Sequence, residues 1–205
     1  MYKRQFIGFL SIEPLSPGAL EEIDRAVNEL GLKGIKLGPV YQHYHPADKR
    51  VYPVYEKAQE MGLPILFHQA TVPGQWDPLE YAHPLLLEKV ALDFPELKII
   101  VAHMGHPWEN STIAMIRKQP NMYADISALF YRPWQFFNSM RLCYEYGQMH
   151  KLLFGTDFPV TTPAESLEKI MNLNYVVEGT GIPRVPEEEI EKVIHQDALK
   201  ILGIK

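Results

Sequence analysis

Six short apolar segments alternate with amphipathic segments along the chain, and this alternation limits the fold more than any other feature. The apolar segments begin near residues 6, 34, 64, 98, 121 and 151, which spaces them 23 to 34 residues apart. Strands that are apolar almost throughout are typical of a parallel sheet covered by helices, and each helix returns the chain to start the next strand. The chain is therefore expected to consist of repeated βα units.

The apolar segments and the helical periodicity set the bounds that we expect for each element. Strands are predicted at 6–14, 33–38, 63–68, 97–103, 121–127 and 150–157. Helices are predicted at 16–31, 46–62, 83–95, 108–120, 133–147 and 163–172, and two short helices at 186–196 and 197–203 complete the series.

Two common arrangements of a parallel sheet can be compared against this pattern. No glycine-rich phosphate loop of the GxGxxG or GxxxxGK[ST] type follows any strand, which argues against a nucleotide-binding fold. The other arrangement is the TIM-type (β/α)8 barrel, which typically needs about 250 residues. The 205 residues provide about six βα units. We therefore predict an α/β TIM-type barrel in which about six units, strands three to eight, are present.

Polar side chains stand at the carboxyl ends of several predicted strands. Lys36, His68, His103 and Asp157 occupy such ends, and Arg132 lies just beyond another. In a barrel these ends meet on one rim, where active sites lie. Imidazole and carboxylate groups are the ligands of zinc and similar divalent ions, which activate water or polarise a substrate oxygen. The pattern predicts a metal-assisted active site on a small molecule.

Charge, hydropathy and cysteine content argue against a nucleic-acid-binding, a membrane-spanning or a disulfide-rich protein. The net charge is −5 and the pI about 5.9, so the chain lacks the basic surface of a nucleic-acid-binding protein. No apolar run approaches the ~20 residues that cross a bilayer. Cys143 is the only cysteine, so no disulfide framework forms within the chain, and a buried thiol in a reduced, cytoplasmic setting is expected.

Four segments carry a resemblance to a known family. "LPILFHQA", "KIIVAHMGHPW", "NMYADIS" and "LLFGTDFP" resemble the amidohydrolase superfamily, in its amidohydrolase-related branch, from about Phe6 to the C-terminus. That branch contains hydrolases of cyclic or aromatic acids and decarboxylases of the aminocarboxymuconate-semialdehyde and resorcylate types. The resemblance implies a divalent-metal enzyme, with zinc as the expected ion, that acts on a small carboxylated or cyclic substrate.

The resemblance also implies roles for three residues. His68 matches a metal ligand, and Asp157 matches a residue that binds the metal and acts as a base. His103 matches a catalytic acid or base, or a group at a second metal. A hydrolase is the preferred interpretation, with metal-activated water attacking a C–N or C–O bond, and a metal-dependent decarboxylase is the alternative.

Four further residues are expected to contact the substrate. These are Lys36, His106, Trp108 and Arg132. Arg132 has the planar group that binds a carboxylate through two hydrogen bonds. Lys36 has two interpretations: a plain contact to substrate or carboxylate, or a carboxylated lysine that bridges two metals as in two-metal relatives.

The front of the chain departs from the family pattern. Family members usually open with a strand that ends in HxH, or ExH in some decarboxylases, and no such strand precedes Phe6. "HYH" at 43–45 follows a strand but is expected to lie in a loop. "MYKRQ" (1–5) matches the translation of GTG TAT AAG AGA CAG when GTG is read as a start codon, and this string is a transposon end used in sequencing-library preparation. We expect residues 1–5 to be a non-native leader and residues 6–205 to be the last three quarters of the barrel.

This departure leaves a third functional alternative, an inactive truncated barrel that keeps the fold but not the metal. Six strands also leave two sheet edges unpaired, which favours self-association. A homo-oligomer therefore stays open as an expectation.

Overall fold

The structure is a computed structural model that describes residues 6–204. Residues 1–5, the expected leader, lie outside the described residues. The sheet contains the strands β1 Leu10–Ser11, β2 Ile35–Leu37, β3 Ile65–Phe67, β4 Ile99–Val101, β5 Met122–Asp125 and β6 Leu152–Leu153. The helices are α1 Ala19–Asn28, α2 Pro39–Gln42, α3 Tyr52–Glu60, α4 Glu88–Asp93, α5 Glu109–Lys118, α6 Pro133–Glu145, α7 Pro163–Met171, α8 Glu187–His195 and α9 Ala198–Leu202.

The six strands form one sheet in chain order. Every neighbouring pair from β1 to β6 is parallel, and helices connect the strands. Within residues 6–204, β1 and β6 are the edges of the sheet and do not pair with each other. This arrangement confirms the predicted α/β architecture, a partial TIM-type barrel built from six consecutive βα units.

Several elements are shorter than the sequence predicts. The expected strand at 6–14 forms ladder pairs only at Leu10–Ser11. The expected helix at 46–62 begins at Tyr52, because residues 46–51 form turns. The segment at 83–95 divides into a 3-10 turn, Pro84–Leu87, and α4. Periodicity locates an element, whereas its ends depend on which backbone groups find partners in the fold.

The two faces of the sheet have different neighbours. Side chains at alternate positions, such as Ile35, Ile65 and Ile99, are fully buried against the helices in the main core. The intervening positions face the other way, into the concave side of the sheet. There Leu66 and Ile100 lie in register with Lys36.

A second, smaller core lies on the concave face. Ile100 and Leu153 pack there with Leu202 of α9, and the Nζ atom of Lys98 donates a hydrogen bond to the Ile201 carbonyl at 2.7 Å. Because Lys98 immediately precedes β4, this bond holds α9 near the amino end of the sheet. The carboxyl ends of the strands are left accessible for a site.

In the part of the chain that the structure describes, each helix is too short or too polar to span a bilayer.

Candidate active site

A cavity of about 490 Å³ opens at the carboxyl ends of the strands. Five of the residues expected at the site border it: His68, His103, His106, Arg132 and Asp157. The rest of its lining is Ala70, Thr71, Val72, Pro73, Ala128, Tyr131 and Val160. His68 and Asp157, which are 89 positions apart in the sequence, therefore meet here, because the strands are parallel and end on the same rim.

His68 follows β3 directly and lies on the concave side. Its backbone N–H donates to the carbonyl of Leu37 at 2.8 Å, which continues the pairing with β2. Its ring meets the ring of His103 edge-on, with the centroids 5.0 Å apart. Burial, together with the neighbouring His103 and Lys36, lowers the pKa of His68 to about 4. The imidazole is therefore neutral near pH 7, as a metal ligand requires.

Left-handed backbone conformations concentrate around the cavity. His103 and Met104 have φ values of 55° and 49°, and Gly105 follows at 70°. Two other residues that border the cavity, Ala128 and Asp157, have φ values of 56° and 57°. Such conformations cost about 1–3 kcal/mol each outside glycine and persist where the surrounding structure enforces them. Their presence at three strand ends marks this rim as the functional end of the sheet.

Ser127 and Asp125 hold the ring of His103. The Nδ1 atom of His103 lies 2.8 Å from the hydroxyl of Ser127, and that hydroxyl lies 2.5 Å from Oδ1 of Asp125. The Ser127 hydroxyl donates its hydrogen bond to the carboxylate. Its oxygen therefore accepts a hydrogen bond from Nδ1 of His103, which carries a proton. The same Oδ1 also accepts the backbone N–H groups of His103 and Ser127, both at 3.0 Å. His103 thus presents the lone pair of Nε2.

Asp125 was missed by the sequence interpretation, although a signal for it was present. Tyr123 and Asp125 alternate along β5 and face the concave side of the sheet, and Ser127 follows in the turn after the strand. A carboxylate that faces the inside of a barrel near a strand end is itself a sign of a functional group.

Lys36 lies beneath the cavity, on the concave face of β2. Burial lowers the pKa of its ammonium group, and the negative charges of Asp125 and Asp157 partly oppose this change. Lys36 therefore lies close to two carboxylates of the site without bordering the cavity.

Arg132 and Trp108 differ in their relation to the cavity. Arg132 borders it, and one of its guanidinium nitrogens donates to the Ala128 carbonyl at 3.1 Å while the group lies over the Tyr131 ring. The remaining N–H groups are available to an anion. Trp108 instead packs on His83, with ring centroids 4.9 Å apart, and is not part of the lining.

The "HYH" histidines are also outside the lining. His43 lies 3.4 Å from Asp77, and Nδ1 of His45 accepts the backbone N–H of Ala47 at 3.0 Å. Both residues are therefore in the loop that the sequence predicts.

Gln69 fixes the segment that forms one wall of the cavity. Its side chain is fully buried, and its amide nitrogen donates to the carbonyls of Tyr81 and His83. Since Gln69 follows His68, these bonds tie residues 71–82 to the end of β3. Thr71, Val72 and Pro73 of that segment reach the cavity.

The metal expectation can be tested against the donor atoms. Among residues 6–204, no three His, Cys, Asp or Glu side chains lie close enough to hold an ion by themselves. His68, His103 and Asp157 border one cavity but do not form a three-ligand group. Their donor types fit a divalent ion, whereas their number and spacing do not complete a site. A catalytic ion usually has three protein ligands, so this site would require further ligands.

The fold and the site define a class: a TIM-barrel protein with histidine and aspartate side chains around a cavity at the strand ends. Within that class the family is established, since a sequence model of the amidohydrolase family matches residues 1–204. The chain belongs to the amidohydrolase family.

Two curated relatives show how far the similarity extends. The chain is 29% identical over 150 residues to a 2-keto-4-carboxy-3-hexenedioate hydratase of Sphingobium sp. (strain NBRC 103272 / SYK-6), covering 60% of this chain and 43% of the hydratase. It is 33% identical over 115 residues to a dihydroorotase of Helicobacter pylori (strain HPAG1), covering 53% of this chain and 32% of the dihydroorotase. The matches therefore span less than half of either relative.

Solved structures share the fold. A TIM-barrel protein from Bordetella bronchiseptica superposes with a TM-score of 0.74 at 22% identity, covering 99% of this chain and 68% of the other. A dihydroxybenzoic acid decarboxylase from Polaromonas sp. JS666, with bound manganese and an inhibitor, gives a TM-score of 0.71 at 19% identity, covering 97% of this chain and 69% of the other. These likenesses establish the barrel architecture.

Proposed function

We propose that the chain carries the catalytic rim of a divalent-metal-dependent hydrolase that acts on a C–N or C–O bond of a small carboxylated or cyclic substrate. The observation that carries the proposal is the meeting of His68, His103 and Asp157 on one cavity at the strand ends. The amidohydrolase family supports the reaction class.

His68 and Asp157 are the proposed protein ligands of the metal. A neutral imidazole and a carboxylate suit zinc or manganese, and a manganese-containing decarboxylase shares this fold. When bound, such an ion activates water or polarises a substrate oxygen. Zinc remains the expected ion. The remaining ligands would come from solvent, substrate or residues outside the set described.

His103 is the proposed acid and base. Ser127 and Asp125 fix its Nδ1 as the protonated nitrogen, so Nε2 is the atom that takes a proton from water or substrate. The same Nε2 returns that proton to the leaving group. A third group that orients the base is the usual arrangement for efficient proton transfer.

Arg132 is the proposed anchor for the substrate carboxylate. Its guanidinium group borders the cavity and retains unused N–H donors, which match the two oxygens of a carboxylate. Lys36 is the proposed second contact to this end of the substrate, close to Asp125 and Asp157. The hydratase relative is named for a substrate with a carboxy group, which agrees with an anionic ligand.

A metal-dependent decarboxylase is the second candidate. Two imidazoles, His103 and His106, border the cavity, and decarboxylation requires a group that delivers a proton to carbon. The curated relatives include a 2-amino-3-carboxymuconate-6-semialdehyde decarboxylase of Dictyostelium discoideum, 25% identical over 142 residues.

Metal content and product analysis test the proposal together. The chain is purified without chelator, and zinc and manganese are measured by mass spectrometry for the parent and for His68→Ala. Stoichiometric metal that His68→Ala loses supports the proposed site. Absence of metal after reconstitution with either ion would instead favour the inactive truncated barrel.

A substrate panel then separates the two reactions. Cyclic amides and lactones are followed by acid release, and aromatic or unsaturated carboxylic acids by release of carbon dioxide. Acid release that depends on the metal supports the hydrolase, whereas carbon dioxide release supports the decarboxylase. His45→Ala is the matched control for His68→Ala, since His45 lies outside the cavity.

A further inference from the structure

His106 and Glu109 form a second imidazole–carboxylate pair at the cavity, separate from the one that holds His103. The Nδ1 atom of His106 lies 2.9 Å from Oε1 of Glu109. The other oxygen of Glu109, Oε2, accepts a hydrogen bond from the amide nitrogen of Gln135 at 3.1 Å. Each oxygen of this carboxylate therefore has one donor.

Glu109 is an unusual residue to bury. It is 5% exposed, although glutamate is almost never fully buried unless it is paired. It is also the first residue of α5, where the partial positive charge of the helix terminus favours a carboxylate. The helix end, His106 and Gln135 thus all direct N–H groups or positive partial charge toward this carboxylate.

The protonation of His106 follows from these partners. A carboxylate only accepts hydrogen bonds, so the Nδ1 atom that contacts it must carry a proton. In the neutral imidazole the lone pair then belongs to Nε2. That atom forms no hydrogen bond with residues 6–204 within the usual distance, and the ring borders the cavity. The polar atom of His106 that is available to a ligand is therefore Nε2.

The backbone gives the pair its position. The left-handed turn at 103–105 separates the two histidines, and the His103 carbonyl accepts the backbone N–H of His106 at 3.0 Å. The carbonyl of His106 in turn accepts the N–H of Thr71 at 2.8 Å, which links it to the wall of the cavity. With the backbone held on both sides, the ring orientation depends on Glu109.

We propose that Glu109 is a positioning residue, which holds His106 with Nδ1 protonated and the lone pair of Nε2 available in the cavity. His106 is thereby a second proton-accepting group of the site, beside His103. The catalytic use of His106 rests on the proposed function, whereas its tautomer does not. Gln135 acts one step further away, by fixing the carboxylate.

The tautomer is measured by ¹⁵N NMR of histidine-labelled protein. Spectra are recorded at about pH 8, where an imidazole with the usual pKa of about 6.5 is neutral. The signals of His106 are assigned by their loss in His106→Asn. We expect an Nδ1–H tautomer in the parent chain. An Nε2–H tautomer in the parent would overturn the proposal by itself, without any variant.

Variants then test whether Glu109 is the cause. Glu109→Met keeps the length of the side chain but removes the acceptor, and it is expected to release His106 into a mixture of tautomers. Glu109→Asp retains a carboxylate and should preserve a larger share of the Nδ1–H form. If Glu109→Met folds and His106 remains fully in the Nδ1–H form, Glu109 does not position it.

Two controls separate positioning from a merely structural role. Thermal unfolding reports any loss of stability, which a structural role alone would also produce, while only positioning changes the tautomer. The signals of His103 should stay unchanged in Glu109→Met, because Ser127 holds that ring. If Glu109→Met does not fold, the parent spectrum and Glu109→Asp still decide the question. Absence of metal or of turnover would refute the proposed function and leave this result intact.

Discussion

Gly105 lies in the turn between His103 and His106, and its substitution measures how much the close packing of this turn contributes to the free energy of unfolding. The residue has φ of +70°, and a β-carbon added there would overlap Oγ1 of Thr112 and come within 2.8 Å of Cγ of Pro84. Gly147, at the end of α6, has the same φ of +70°, but no heavy atom would lie within 4 Å of its added β-carbon. The substitutions Gly105→Ala and Gly147→Ala therefore share the backbone change and differ in steric contact.

The magnitude follows from these two contributions. A left-handed conformation costs an L-residue about 1–2 kcal/mol, and this cost applies to both variants. Insertion of a methyl group into a filled site costs about 1–3 kcal/mol more, and this applies only at Gly105. The change in unfolded-chain entropy is the same for both and cancels in their difference. We therefore expect Gly105→Ala to lose about 1–3 kcal/mol more than Gly147→Ala.

Urea unfolding provides the assay, with the midpoint as the readout and an unchanged m-value as the check on two-state behaviour. Thr112→Ala offers an independent test, because Oγ1 of Thr112 is buried and without a hydrogen-bond partner in the described part of the chain. Removing it should recover part of the loss in Gly105→Ala. Equal losses in the two glycine variants, or no recovery with Thr112→Ala, would refute the steric reasoning.

Four further outcomes are expected. Ser127→Ala should lower activity or metal affinity about 10- to 100-fold, which is the usual effect of losing a group that orients a site residue. Asp125 cannot replace the hydroxyl, because its Oδ1 is 3.8 Å from Nδ1 of His103. Arg132→Lys should raise KM for a carboxylated substrate about tenfold or more, since a bidentate contact is lost. In chelator-treated protein, the free energy of unfolding should fall between about pH 6.5 and about pH 4, because the unfolded state takes up a proton that buried His68 excludes. Sedimentation velocity should show concentration-dependent self-association through the edges β1 and β6.

Each of these outcomes has a counterpart that would contradict it. Ser139→Ala, whose hydroxyl bonds the Gln135 carbonyl within α6, should leave activity unchanged if the effect of Ser127 is specific. Arg141→Lys is the matched control for Arg132, since Arg141 pairs with Glu145 instead of bordering the cavity. If the free energy of unfolding of His68→Gln depends on pH as steeply as that of the parent chain, the expectation for His68 is wrong. A chain that stays monomeric and unfolds cooperatively at all concentrations would contradict the expected self-association.

The sequence alone determined the order of elements and the rim on which the polar residues meet. Apolar segments at regular spacing indicate parallel strands, and parallel strands place their carboxyl ends together. His68, His103, Arg132 and Asp157 were therefore found without coordinates, and all four border the cavity. The periodicity that locates a strand is a local property of the chain, so it can be recognised from the sequence alone.

The tertiary structure decided what holds those residues. Trp108 stands near the site in the sequence but packs on His83 instead, immediately before α5 begins. The turn at 103–105 has left-handed conformations at His103 and Met104, which are uncommon outside glycine and were not predicted from the sequence.

The pairing of each histidine with its partner was likewise not predicted from the sequence. Asp125 comes from a different strand than His103, and buried Glu109 is hydrogen-bonded by Gln135 of the next helix. A hydrogen bond depends on distances of a few tenths of an ångström, and those distances are set by how strands and helices pack together. The sequence thus determined which side chains share the rim, and packing alone determined which atoms of those side chains remain available for chemistry.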